Sequence, residues 1–200
     1  MAIGSLILLM FSGLGALNGI LLSLYFFSAK PKSLSNKFLA AMLLMVSIRI
    51  LKSVLYYFNA EIAETILQIG LSACFLIGPL LYLYCVSKVG KIESQLIKWP
   101  LHLTGLLTLI AGVGIAYPYQ SNPELWGGTL YKVINFIWLL YLVMSAYVLF
   151  PTVKKLNYKQ LSLTDDNTWL ISVFVGNAVI WLAYFTASYT SYIVGALSFS

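Results

Sequence analysis

The chain has 200 residues, 60% hydrophobic and only 9% charged, with a net charge of +6 and a mean hydropathy of +0.90. A soluble domain carries roughly 25% charged residues, so this composition excludes an ordinary soluble fold. The positive charge does not point to nucleic acid in these residues, because the lysines occupy short loops between apolar blocks, where the positive-inside rule accounts for them.

The apolar residues fall in blocks of about twenty, the length that crosses a ~30 Å hydrocarbon core. The first block runs over about 4–27. It lacks a basic leader and a small-x-small cleavage site, and it is too long for a signal peptide. Gly13 to Gly19 combines small residues with one amide, Asn18. Small residues allow close helix approach and a buried amide can bond across helices. Pro31 ends this span, and Ser35 or Asn36 is placed to cap the next. The second block, 38–58, contains Arg49 and Lys52.

The third block, 65–87, is the stretch around which the chain is organised. It carries Gly78-Pro79 just past its middle, an aromatic Tyr82-Leu83-Tyr84 exit, and then Lys88 and Lys91. A proline inside a helix removes one backbone donor and crowds the preceding turn, so a kink is expected near Cys74 to Gly78. A bilayer tolerates such a helix only where neighbours re-satisfy the freed carbonyls. The third span is therefore expected inside a bundle.

The fourth block covers 100–117, with Pro100 suited to a first helical turn. Pro118 to Gly128 reads as a loop, with Asn122-Pro123 and Gly127-Gly128 as breakers. The fifth block, 129–150, contains Asn135 and ends at Pro151. Asp165 and Asp166 precede the sixth block, 168–187, where carboxylates favour a helix N-terminus. Tyr189 to Tyr192 reads as a turn, and 190–200 as the start of a seventh span. Tyr189 to Ser200 gives only ~18 Å of helix, too short to cross. The expected fold is one all-α transmembrane bundle, with six full spans and an incomplete seventh; either the natural protein continues it, which is the favoured reading, or it packs in the bundle as a half-helix.

Loops one, three and five hold Lys30, Lys32 and Lys37; Lys88, Lys91 and Lys98; and Lys154, Lys155 and Lys159. Loops two and four hold only Glu61, Glu64 and Glu124. That asymmetry places the odd loops in the cytoplasm and the N-terminus outside. Tyr56-Tyr57-Phe58, Tyr82 with Tyr84, and Tyr117 with Tyr119 fall where interfacial aromatic rings are expected.

No nucleophile with a partner base, no glycine-rich phosphate loop and no carboxylate pair within a span is present, so an enzyme is not expected. Cys74 and Cys85 are ~16 Å apart along one helix, too far for a disulfide. With His102 as the only histidine there is no metal-ligand spacing, and no cofactor is expected.

The strongest site signal is Arg49 with Lys52, three residues apart and so on one helix face. A central Arg or Lys costs about 2.5–3.5 kcal/mol on insertion scales. One reading is an outward-facing pocket for an acidic or polar ligand, lined further by Asn18, Gln68, Asn135 and Asn177. The other is structural: Lys52 snorkels outward, Arg49 pairs with a carbonyl or with Glu61 or Glu64, and each amide makes an interhelical bond. His102, beside Trp99, reads as an interfacial residue.

Three segments carry a family resemblance. They are Gly15-Ala16-Leu17-Asn18-Gly19 with Leu21-Leu22, Ser35-Asn36-Lys37-Phe38-Leu39-Ala40, and Gly78-Pro79-Leu80-Leu81-Tyr82-Leu83-Tyr84. Together they resemble the N-terminal membrane region of bacterial membrane-bound AraC-type transcription regulators. The family's histidine shortly before a proline at the fourth span is not reproduced, since Pro100 precedes His102. The resemblance implies about seven spans in the bacterial inner membrane, acting as sensor and anchor for a cytoplasmic helix-turn-helix domain outside these residues. The expected partners are the bilayer, an acidic or polar small ligand, a second copy of the chain, and DNA through that further domain. The alternatives are a small transporter or a substrate-binding subunit of one, or an anchoring protein without ligand.

Overall fold

A computed structural model describes residues 3–30, 33–58, 64–90, 99–155 and 166–198. Pro31, Lys32, Glu61, Lys91, Glu93, Lys98, Lys159 and Asp165 lie outside the described residues. The described chain is helical, with α1 (Ile3–Ser28), α2 (Leu34–Phe58), α3 (Glu64–Lys88), α4 (Trp99–Ala116), α5 (Tyr131–Lys155) and α6 (Asp166–Ser198). A π-helical turn, Leu125–Leu130, leads into α5. All six α-helices contain stretches long and apolar enough to cross a membrane, as expected of a multi-pass membrane protein.

Contacts fix how the helices run. Ser23 on α1 donates to the Ala40 carbonyl of α2, and a side chain on Gly19 would collide with Ser47. The paired numbers fall on one helix as they rise on the other, so α1 and α2 are antiparallel. The α2–α3 pair is antiparallel too, since Lys52 lies on Gly70 and Arg49 on Cys74. α5 runs parallel to α3: Gly78 abuts Trp138 and Tyr141, and the Cys85 thiol meets Ser145. α6 returns antiparallel to α5, with the Trp138 indole donating to Asn177 at 2.9 Å and the Trp181 indole to the Asn135 carbonyl at 3.1 Å.

The third span is the axis of this arrangement. α2, α4, α5 and α6 all pack on it, and every residue from Ala73 to Val86 is buried. Gly78 is required for the close approach of α5 to α3: a Cβ there would lie 3.0 Å from the Trp138 Cα and 3.1 Å from the Tyr141 Cβ. Pro79 sits inside α3 at this contact, buried, and α3 is helical on both sides of it. Tyr82 and Tyr84 are also buried. They are core residues rather than interfacial anchors, because α3 is enclosed on all sides where they leave it. α1, by contrast, packs on α2 alone among the extensive helix contacts.

The boundaries differ from the sequence reading in four places. Ser33 caps α2, its hydroxyl accepting from the Asn36 amide at 3.2 Å. Gly127 and Gly128 do not break the chain; they lie in the π-helical turn, whose Trp126 is fully buried and donates to the Tyr117 carbonyl. α5 continues through Pro151 to Lys155. Pro151 removes only one donor and sits exposed near the helix end, where that loss is tolerated. α6 runs 33 residues through Tyr189 to Tyr192 without a turn. None of those four residues is glycine or proline, so local chemistry does not force a break.

Candidate functional site

Arg49 lies fifteen residues into α2, ~22 Å from its first turn and ~14 Å from its last at 1.5 Å per residue. It is 7% exposed. Its guanidinium carbon stands 4.8 Å from the centre of the Tyr184 ring on α6, within cation–π range. The Cys74 thiol of α3 lies against it. The Ser53 hydroxyl, one turn on, donates to the Arg49 carbonyl at 3.2 Å and also reaches Tyr184. Tyr184 is held in turn by Trp138, with ring centres 6.4 Å apart, and by the Tyr131 hydroxyl at its backbone carbonyl. Three helices thus meet at one cation.

The guanidinium is under-satisfied. Its Nε and Nη1 are buried without a hydrogen-bond partner. Among the described residues the one ion pair is Lys88 with Asp166, at the far end of α3. Glu64 is exposed and does not pair with Arg49. Burying a charge without a counter-charge is costly. The aromatic face and thiol recover part of that cost, leaving two donors suited to an anionic or strongly polar oxygen. The Oδ1 of Asn135 is also buried without a partner.

Lys52 runs away from Arg49. Its stem lies along Gly70, where an added Cβ would come within 2.5 Å of Cγ. Its ammonium stands 5.6 Å from the centre of the Tyr56 ring, one turn toward the end of α2. The head is thus displaced from Arg49 along the helix, toward the end of α2.

The amides divide. Asn18 is exposed, opposite the Ala16, Gly19 and Ser23 face that packs on α2, so it does not line the Arg49 site. Gln68 is a clamp: its Nε2 donates to the Gly114 carbonyl at 3.0 Å and its Oε1 accepts from the Tyr119 amide at 2.9 Å. Both ends of that side chain are committed to holding α4 and the following loop. Asn177 accepts from Trp138 and donates to the Met42 sulfur at 3.6 Å. Asn135 donates to the Tyr131 carbonyl at 2.8 Å. His102 shares a 2.9 Å hydrogen bond with the Tyr141 hydroxyl. The site that assembles is therefore Arg49 with Tyr184, Cys74 and Ser53, not Arg49 with a ring of amides. Tyr184 and Cys74 carried no sequence signal: one is an aromatic among many, the other a small apolar core residue.

Among the described residues no group of three or more His, Cys, Asp or Glu side chains could hold a metal. Compared with known protein families, curated proteins and solved structures, the chain matches none of them.

Proposed function

We propose that this chain is the membrane sensor and anchor of a bacterial AraC-type transcription regulator, in the cytoplasmic membrane with its N-terminus outside. The observation that carries the sensing half is Arg49, a buried cation with two unpartnered donors, touched by side chains from α3 and α6. The regulator half rests on the resemblance of the Gly78-Pro79-Leu80-Leu81-Tyr82 segment and its companions. In the proposed orientation Arg49 lies in the outer half of the bundle. Lys88 and Asp166, bonded at 2.9 Å, lie at the cytoplasmic end of the same two helices.

An acidic or polar signal oxygen reaching Nε or Nη1 competes with the Tyr184 stack. It then favours a different seating of α6 against α2 and α3. Ligand control requires that the two seatings differ in affinity for the signal; a 1.4 kcal/mol difference shifts their ratio tenfold. DNA contact belongs to a domain outside these residues.

The test is transcript profiling in the source bacterium with the native gene, comparing the wild type, a deletion and Arg49→Met at equal membrane abundance. A defined set of transcripts should change on deletion, and Arg49→Met should fail to restore its regulation. Enrichment of specific DNA with the immunoprecipitated native protein should accompany it. Altered solute uptake with unchanged transcripts and no DNA enrichment would overturn this reading in favour of a transporter.

A further inference from the structure

We infer that the ligand of Arg49 is a monocarboxylic acid with an apolar tail, which enters from the bilayer between α2 and α6. The inference rests on Arg49 as the sensing group proposed above; it adds what is sensed and by which route.

The route follows from how α6 sits. Its backbone packs on α5 and on α3. It reaches α2 through long side chains. The Asn177 amide donates to the Met42 sulfur at 3.6 Å, and the Tyr184 ring lies 4.8 Å from the Arg49 guanidinium carbon. The second pair is seven residues further along both helices, so α2 and α6 run parallel, bridged at two levels ~10 Å apart. Behind the Arg49 bridge is Cys74 of α3. Tyr184 is only partly buried, and its neighbours Leu182 and Phe185 are exposed on the outside of the bundle. One ring on α6 therefore stands between the guanidinium and the acyl chains.

Charge sets the head group. Nε and Nη1 are buried without an acceptor, and buried charges are normally paired. Among the described residues no carboxylate reaches Arg49. One anionic charge neutralises it through charge-assisted hydrogen bonds. A second charge, as on a dicarboxylate or a phosphate monoester, is left unpaired, because the Lys52 ammonium is drawn off over Tyr56.

Depth sets the rest. Arg49 lies ~14 Å from the outer end of a helix that crosses a ~30 Å hydrocarbon core. A phosphodiester lipid also carries one charge, but seating its phosphate at Arg49 drags the glycerol esters into hydrocarbon, where they find no donors. A carboxylate at the end of a tail buries no polar group but itself. Its tail stays among acyl chains in the α2–α6 cleft, so only the head group changes surroundings.

The test uses the native full-length protein in phosphatidylcholine nanodiscs and a long-chain alkanoic acid brominated in its tail, read by quenching of tryptophan. Trp138 and Trp181 flank Tyr184. Quenching by the acid should saturate and be competed by the unbrominated acid. The methyl ester and the alcohol, which are neutral, should give no saturable part. Arg49→Met should raise the dissociation constant about 10- to 100-fold. The acid should also raise the thermal midpoint of the wild type and leave that of Arg49→Met unchanged.

Competition by acetate or succinate without saturable binding of the long-chain acid would overturn the membrane route and leave Arg49 a site for aqueous anions. Loss of acid binding when phosphatidylglycerol replaces phosphatidylcholine would assign the site to a phospholipid head group instead. No saturable binding of any of these anions would overturn the inference outright, as it must if a carboxylate from elsewhere in the natural chain holds Arg49. Saturable, Arg49-dependent binding with transcripts that Arg49→Met leaves unchanged would support this site and overturn the regulator reading.

Discussion

Replacing Arg49 with methionine should make the bundle more stable. Arg49 is 7% exposed and leaves Nε and Nη1 unbonded. A central arginine costs about 2.5–3.5 kcal/mol on insertion scales. Its stack on Tyr184, at 4.8 Å, returns about 0.5–2 kcal/mol. Methionine has a similar reach and no charge, and its sulfur against the Tyr184 ring is worth about 0.3–1.5 kcal/mol. The balance is a net gain of about 1–4.5 kcal/mol. The assay is reversible unfolding of the purified chain in bicelles, with thermal unfolding in nanodiscs as a second readout. On the scale of domains of 150–250 residues, 1 kcal/mol moves the midpoint about 2–4 °C, so a rise of at least about 2 °C is expected. A loss of 1 kcal/mol or more would refute the reasoning: it would mean that the folded bundle already compensates the guanidinium, and Arg49 would be a structural pin.

Gln68→Leu removes two hydrogen bonds that tie α4 and the following loop to α3; at about 0.5–1.5 kcal/mol each, a loss of roughly 1–3 kcal/mol should appear in the same unfolding assay. Gly78→Ala drives a Cβ toward the Trp138 backbone at 3.0 Å, and overpacking of that kind costs typically 1–3 kcal/mol; Gly13→Ala, with open space around it, should be neutral in the same titration. Asp166→Asn removes the ion pair to Lys88, in which the carboxylate side chain is 84% exposed; exposed pairs are worth at most about 1 kcal/mol, so the midpoint should stay within about 2 °C and lose any dependence on salt that it has.

The spans were legible because a run of about twenty apolar residues has one physical meaning in a lipid-facing chain. The central position of α3 was legible because Pro79 needs neighbours to re-satisfy the backbone. Arg49 stood out because a charge at that depth is expensive. What was not legible is which way each residue points around its helix. Gln68, Asn177 and Asn18 are alike as amides in apolar blocks, yet one is a clamp, one bonds an indole and one faces outward. In a membrane helix apolar residues cover every face, so periodicity marks the packed side weakly. Tyr184 and Cys74 were hidden for the same reason. Gly127-Gly128, Pro151 and Tyr189 read as boundaries by soluble-protein breaker rules, whereas lipid has no water to solvate a freed carbonyl and so favours keeping the helix.

The parallel pairing of α3 with α5 also sets a clock on biosynthesis. α1, α2 and α3 are successive antiparallel neighbours, so each can dock as it leaves the ribosome. Gly78, by contrast, waits for Trp138, sixty residues later in the chain. At about 5–20 residues per second, that interval lasts roughly 3–12 s. Throughout it, the face of α3 that packs on α5 in the finished protein is unsheltered. A nascent chain stalled between α4 and α5 is therefore the form that a membrane chaperone or protease would meet.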